Sequence, residues 1–274
     1  MVLPQSINLP VKFLASSFDD VTNSYKFYWF LSIIEFIFEN QSPIIPINDL
    51  LARMIASVWY PLNYFRLSFG KQDRLGQISS QARQITNLPI DSKRHEIIKS
   101  IKAHLLDDTP ISNQIKSLGN YVPYRFLRPF FAAQMRGIED WKVNRVITHL
   151  AQQAFSSSDN PCLYRFVDQS EPAIEIQPQW LLYLNQHLSI LTDFCLWNLV
   201  GYLQKRNPNV PNISSKLFEP NQRDLTLARE FWRIVFDQTG GLVCIYSGQE
   251  MNKNNFSLDH FLPWRFVAHD LLWN

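Results

Sequence analysis

The sequence predicts a mainly helical protein: a helical N-terminal body followed by a small strand–strand–helix unit. Three observations carry this. Glycine is scarce, at 8 of 274 residues, which disfavours a Gly-rich barrel or sandwich. Apolar residues recur at i, i+3, i+4, i+7 over long stretches, the signature of one buried helix face. The 16 prolines mark breaks between these stretches.

From residue 17 the chain reads as helix after helix. Asp20-Val21-Thr22-Asn23-Ser24 offers capping side chains ahead of an apolar run through Phe38, closed by Glu39 to Pro43. Asn48-Asp49 can cap a second helix that runs to Tyr60 and ends at Pro61. A third covers Ser92–Leu106, with Ile97, Ile98, Ile101 and Leu105 on one face. A fourth follows Asp140, with Val143, Val146, Ile147 and Leu150 in register. Cys162–Val167 and Ala173–Ile176 alternate weakly, as a small hairpin would. Trp180–Leu203 is apolar nearly all round and reads as the central helix of the body. The polar run Lys205–Asn212 reads as an exposed connection, and a helix near Gln222–Asp237 stops at Gly240-Gly241. The expected division is 1–218 for the body and 219–274 for the C-terminal unit.

Composition narrows the functional classes. Hydrophobic residues make up 46% of the chain and aromatic residues 14%, enough for a buried core and too many for a disordered chain. Cys162, Cys195 and Cys244 are odd in number and lie far apart, which argues against a disulfide framework and for a reducing cytoplasm. The N-terminus carries no basic and apolar leader pattern. Tyr25–Phe38 is too short to span a bilayer and Trp180–Leu203 too polar, so no membrane partner is expected.

The net charge of +2 hides an uneven distribution: −2 over residues 1–60, +7 over 61–150 and −3 over 151–274. Lys93 and Arg94 open the third helix of this basic block. Arg125 and Arg128 lie among Tyr121, Tyr124, Phe126, Phe130 and Phe131. Basic side chains mixed with aromatics suit a phosphate backbone and stacked bases, which makes these four the candidate DNA contacts. A solvated helix face over an aromatic core reads from the same composition.

The chemistry concentrates in residues 244–274. Leu242–Tyr246 reads as a strand, Ser247-Gly248-Gln249 as a turn, and Phe256–Asp259 as a second strand; Phe266 to Asn274 begins a helix. Asp259 and His260 stand at the end of the second strand, where the backbone can turn. A carboxylate can then hold a divalent cation while the imidazole faces a water. His269-Asp270 could face phosphate or metal, though its apolar neighbours suit packing equally. The other histidines, His95, His104, His149 and His187, form no metal-ligand spacing.

The full run resembles the HNH family of nucleases. Their ββα-metal core carries Cys-x-x-Cys/Ser/Thr-Gly on its first strand and Asp-His-x-x-Pro at the end of its second. An Asn follows at the start of the helix. Cys244, Ser247 and Gly248 match the first element, Asp259, His260 and Pro263 the second, and Trp273-Asn274 the third. The resemblance covers residues 240–274 and implies a metal-dependent DNA endonuclease, in keeping with a bacterial defence role. It makes His260 the general base, Asp259 a ligand of a single divalent cation (Mg²⁺, or Mn²⁺), and Asn274 the residue fixing the loop that presents His260. Cys244, Gly248 and Pro263 are structural in this scheme. Ser247 stands where zinc-stapled members have Cys, so no structural zinc is expected, and Cys244 should pack as a small hydrophobe. The family's remaining ligand, a His or Asn, falls about two helical turns, ~7–9 residues, beyond Asn274. A DNA-binding or regulatory protein keeping a degenerate HNH fold is the alternative. In a third reading, a helical protein-interaction scaffold, the Asp-His match is coincidental.

Overall fold

The structure is a computed structural model that describes residues 2–19, 21–157, 159–168, 170–220 and 222–272. Helices dominate it, as composition and periodicity predict. In chain order they begin with α1 (Val11–Ser16), α2 (Tyr25–Asn40), the short strand β1 (Ile44–Pro46) and α3 (Ile47–Trp59). Next come α4 (Leu75–Thr86), α5 (Arg94–Leu105), α6 (Pro110–Gly119), α7 (Val122–Leu127) and α8 (Val143–Phe155). The hairpin strands β2 (Tyr164–Asp168) and β3 (Pro172–Ile176) lead to α9 (Pro178–Gln186), α10 (Leu188–Gln204) and α11 (Thr226–Thr239). The chain closes with β4 (Leu242–Val243), β5 (Glu250–Met251) and α12 (Trp264–Val267). Among the described residues no helix is long and apolar enough to cross a membrane.

The core is built around α2 and α3. Every residue of α3 from Asp49 to Ala56 is buried, and α3 packs against α2, α5 and α6. Trp29, Trp59 and Trp180 are fully enclosed, each worth roughly 3 kcal/mol of apolar burial. Trp29 also spends its indole N–H on the Tyr164 hydroxyl at 3.2 Å, tying α2 to the hairpin. That hairpin pairs Phe166 with Ile174, and β1 adds on the far side of β3 with Ile45 opposite Ile174. The weak alternation near residue 165 therefore does mark a hairpin. The third strand was hidden because three residues carry no readable period.

Several boundaries differ from the sequence reading, each for a local reason. α3 ends at Trp59, beside the expected end at Tyr60, but the chain stays helical past Pro61 through a π-helical turn, Tyr60–Tyr64. Asn48 and Asp49 do not cap α3, since Pro46 occupies that position and Asp49 instead accepts from Arg53 Nε at 2.7 Å. Ser24 precedes α2 without capping it, because its backbone N–H and hydroxyl both donate to Asp73, each at 2.7 Å.

The apolar run 180–203 is two helices broken at His187, whose backbone (φ −117°, ψ 22°) leaves the helical region. It is not central either: Leu182 and Trp197 are both 71% exposed. Nor is the connection at 205–212 uniformly exposed. Asn207 is buried, its amide accepting from Ser68 N–H and donating to Ser68 C=O, each at 2.8 Å.

Candidate active site

The C-terminal segment begins where α11 stops at Gly240 (φ 74°), a left-handed position that glycine adopts at no steric cost. Strands β4 and β5 pair antiparallel, Leu242 with Met251 and Val243 with Glu250. The loop between them closes tightly. Cys244 N–H donates to Gln249 C=O at 2.8 Å, and Gly248 N–H donates to Cys244 C=O at 2.9 Å with Gly248 at φ 69°. Cys244 does not pack as a small hydrophobe, because it is only partly buried within this turn. A hydrogen bond with the Ser247 side chain, then the Ser247 and Tyr246 backbone N–H groups, hold its thiol below the ordinary cysteine range.

The second strand is Glu250–Met251 rather than Phe256–Asp259. Four polar residues, Asn252–Asn255, fold into a turn that leaves the ladder, with Asn255 N–H donating to Asn252 C=O at 3.1 Å. Phe256 then turns inward to Phe236 of α11, ring centroids 5.0 Å apart. Asp259 and His260 consequently sit in irregular chain, where neighbours need not face opposite ways. Pro263 precedes the single turn of α12. Trp264 is buried, 6.4 Å from the Phe65 ring, and Arg265 lies 4.6 Å over Tyr64, fastening the segment to the turn that follows α3. The helix expected from Phe266 onward is not formed: α12 ends at Ala268 (φ 55°). Trp273 and Asn274 lie outside the described residues, and so does the role expected of Asn274.

The two motif residues have opposite environments. The Asp259 side chain is 80% exposed, while the His260 imidazole is 3% exposed. Asp259 Oδ1 accepts from the backbone N–H of His260 at 2.8 Å and lies 3.4 Å from Arg223 Nη1. Two further groups that the sequence did not single out as a pair complete the cluster. Asp270 Oδ1 lies 3.0 Å from His260 Nε2, and its other oxygen accepts from Asp224 N–H at 2.9 Å. No spacing rule reaches Arg223 and Asp224 from the motif, since they arrive from the segment before α11.

As a site for a divalent cation, the cluster offers one exposed carboxylate beside an imidazole whose two ring nitrogens are buried without a hydrogen-bond partner. The exposed Asp259 carboxylate suits the ligand role implied for it, whereas the buried nitrogens of His260 are out of contact with bulk water. Among the described residues no group of three His, Cys, Asp or Glu side chains closes a metal site.

The candidate DNA contacts are dispersed over the body, and three carry acidic partners. Arg94 grips Glu35 with two nitrogens, at 2.7 and 2.5 Å, and also donates to Ser57. Lys93 pairs with Glu219. Arg125 is held by Asp140 at 2.9 Å and Asn144 at 2.7 Å. Arg128 is exposed and its positive charge faces Lys26, whose ammonium is held below its usual range by burial and then by Arg128. Two cavities of about 560 and 440 Å³ share Glu35, Arg94 and Glu219 in their walls, and neither includes Asp259 or His260. No family model, curated protein or solved structure matches the chain.

Proposed function

We propose that the chain is a metal-dependent DNA endonuclease of the HNH type, with His260 as its general base. The observation that carries this reading is the adjacent Asp-His pair with its carboxylate presented to solvent, the Asp259 side chain being 80% exposed. Exposure leaves Asp259 open to a phosphate-bound cation. Asp259 would hold that cation, Mg²⁺ or Mn²⁺. When bound, it supplies stabilisation of the charge that develops on the leaving oxygen. The Asp259 carboxylate is oriented by its hydrogen bond from His260 N–H, so ligand and base share one backbone unit. Arg223 adds a guanidinium at the same edge, suited to a phosphate oxygen. Exposed cations of the middle third, Arg128 among them, would hold the rest of the DNA backbone.

The test is supercoiled-plasmid nicking with Mg²⁺, with Mn²⁺ and with chelator, for the chain and for any longer form its reading frame encodes. His260→Ala should lower the rate roughly 10²–10⁴-fold without changing circular dichroism or DNA affinity. Asp259→Ala should do the same, with partial recovery in excess Mn²⁺. Metal-dependent nicking that survives both substitutions overturns the assignment. The burial of the imidazole favours one second reading, a DNA-binding or regulatory protein keeping a degenerate HNH fold. DNA binding without cleavage under every metal identifies it.

A further inference from the structure

The cavity of about 440 Å³ has apolar walls from two helices. Leu31, Ile34 and Phe38 come from α2, and Leu188, Leu196 and Leu199 from α10, at the multiples of three and four residues that keep to one helix face. Leu217 and Phe218 complete the lining. The protein leaves much of this surface uncovered: Phe38 and Phe218 are exposed, and Leu31, Leu188 and Leu196 are half-buried. Apolar side chains gathered around one concavity of this size make the wall of a small-molecule site, which spans roughly 300–1,000 Å³.

One margin of the cavity is charged. Glu35, Arg94 and Glu219 stand in its wall and in that of the adjoining cavity of about 560 Å³, which adds Arg53, Lys93, Lys99 and Lys102 against Glu39. Every carboxylate there is already paired: Glu35 with Arg53 and Arg94, Glu39 with Arg53, and Glu219 with Lys93. Lys102 pairs with Asp49. The cations of the margin therefore outnumber its carboxylates, Asp49 included. Arg94 spends Nε and Nη2 on Glu35 and Ser57, which leaves Nη1 without a bond among the described residues. Lys99 is exposed and has no ion pair among the described residues.

We infer that the two cavities form one binding site for a small amphipathic anion. A single apolar chain lies between α2 and α10, and its carboxylate or phosphate head meets Arg94 and Lys99. The walls select this class. A cationic head finds each carboxylate occupied, whereas an anion finds an open guanidinium edge and an unpaired ammonium. Neither wall includes Asp259 or His260, so the inference stands apart from the nuclease reading.

The experiment is calorimetric titration of the full chain with octanoate, octyl phosphate, octanol and octylamine, all below their micelle concentrations. Octanoate and octyl phosphate should bind at one per chain, and the tighter of the two names the head group. Octanol should bind roughly tenfold more weakly, for want of a charge-assisted bond, and octylamine more weakly still. From butanoate to decanoate the affinity should rise about fourfold per added CH₂. Leu196→Trp fills the apolar cavity and should abolish binding at unchanged circular dichroism. Lys99→Glu alters only an exposed side chain; it should weaken octanoate roughly tenfold and leave octanol unchanged. No binding of any of these probes overturns the inference, as does octylamine that matches octanoate. So does an affinity indifferent to chain length, or a folded Leu196→Trp variant that binds as before.

Discussion

The helical body and the C-terminal segment spend the same kinds of residue in opposite ways. In the body, the rings of Trp29, Trp59 and Trp180 are enclosed and the charges nearest the core are neutralised. Arg53 is held among Glu35, Glu39 and Asp49, and Arg94 is bound to Glu35. In residues 240–272, Ile245, Tyr246 and Phe261 are 74–83% exposed, and Trp264 and Val267 are the deep apolar anchors. The body gains stability from its side chains. The segment holds a few polar groups in place with turns and backbone hydrogen bonds, and leaves Asp259 facing water. Basic composition thus has different meanings in different places. Lys93, Arg94 and Arg125 owe their positions to acidic neighbours, whereas Arg128 keeps its charge at the surface.

That contrast can be broken most sharply in the core. Trp29→Ala empties a fully enclosed site and removes the partner of Tyr164, and should cost up to about 5 kcal/mol in urea unfolding. Arg53→Ala leaves the nearly buried Asp49 with Lys102 alone of its two cations and should cost about 3 kcal/mol. A loss below about 0.5 kcal/mol, the scale of an ordinary surface change, would show the network to be ornamental.

A smaller effect is expected at Lys216. Its side chain is buried, donates to Pro211 and Asn212 carbonyls, and has its ammonium pKa pushed down to about 8 by desolvation. The unfolded chain keeps that proton to near 10.5. Between about pH 8 and 10.5 the unfolded state therefore binds more protons, and stability should rise with pH. Below pH 8 both states are charged and this contribution is flat. Lys216→Met should remove the rise, as read by denaturant midpoints across that range.

In DNA binding, Arg128→Ala should reduce the slope of log K against log salt by about 1, as expected for one lost phosphate contact. Arg125→Ala should act mainly on stability, because its guanidinium is already occupied by Asp140 and Asn144. The smallest change belongs to the segment's exposed face: Ile245→Ser should shift stability by no more than about 0.5 kcal/mol. Equal losses for Ile245 and Trp29 would erase the distinction between the two regions.

The sequence made the helices legible wherever a face repeats over three turns, as in Arg94–Leu105 and Val143–Phe155. It did not reveal α1, α4, α6 or α7. α1 and α7 span six residues each, and α4 and α6 set Ser79 and Ser112 on their buried faces, where they interrupt the apolar period. The split of 180–203 was invisible because His187 is an acceptable helix residue, and nothing local signals that its backbone leaves the helix. In the candidate site, Asp259 and His260 are read from an adjacent motif. Asp270 was visible only as one half of an ambiguous pair, and Arg223 and Asp224 not at all. Their place beside the motif is a long-range fact: 36 residues separate Arg223 from Asp259 in a contact of 3.4 Å.

The reversal at Ala268 has one more implication. A residue with a β-carbon in the left-handed region is strained by roughly 1–2 kcal/mol relative to the ordinary helical state. Here its carbonyl is held by the amide of Asn212 at 3.0 Å, and Asn212 is itself left-handed (φ 51°). The left-handed turn at Ala268 is thus held by one hydrogen bond donated from a side chain whose own backbone takes the left-handed state that Asn tolerates. Asn212→Ala removes that hydrogen bond and should lower stability by about 1 kcal/mol. A residue in the connection at 205–212, far from the motif in sequence, thereby helps hold the reversal that brings Asp270 beside His260.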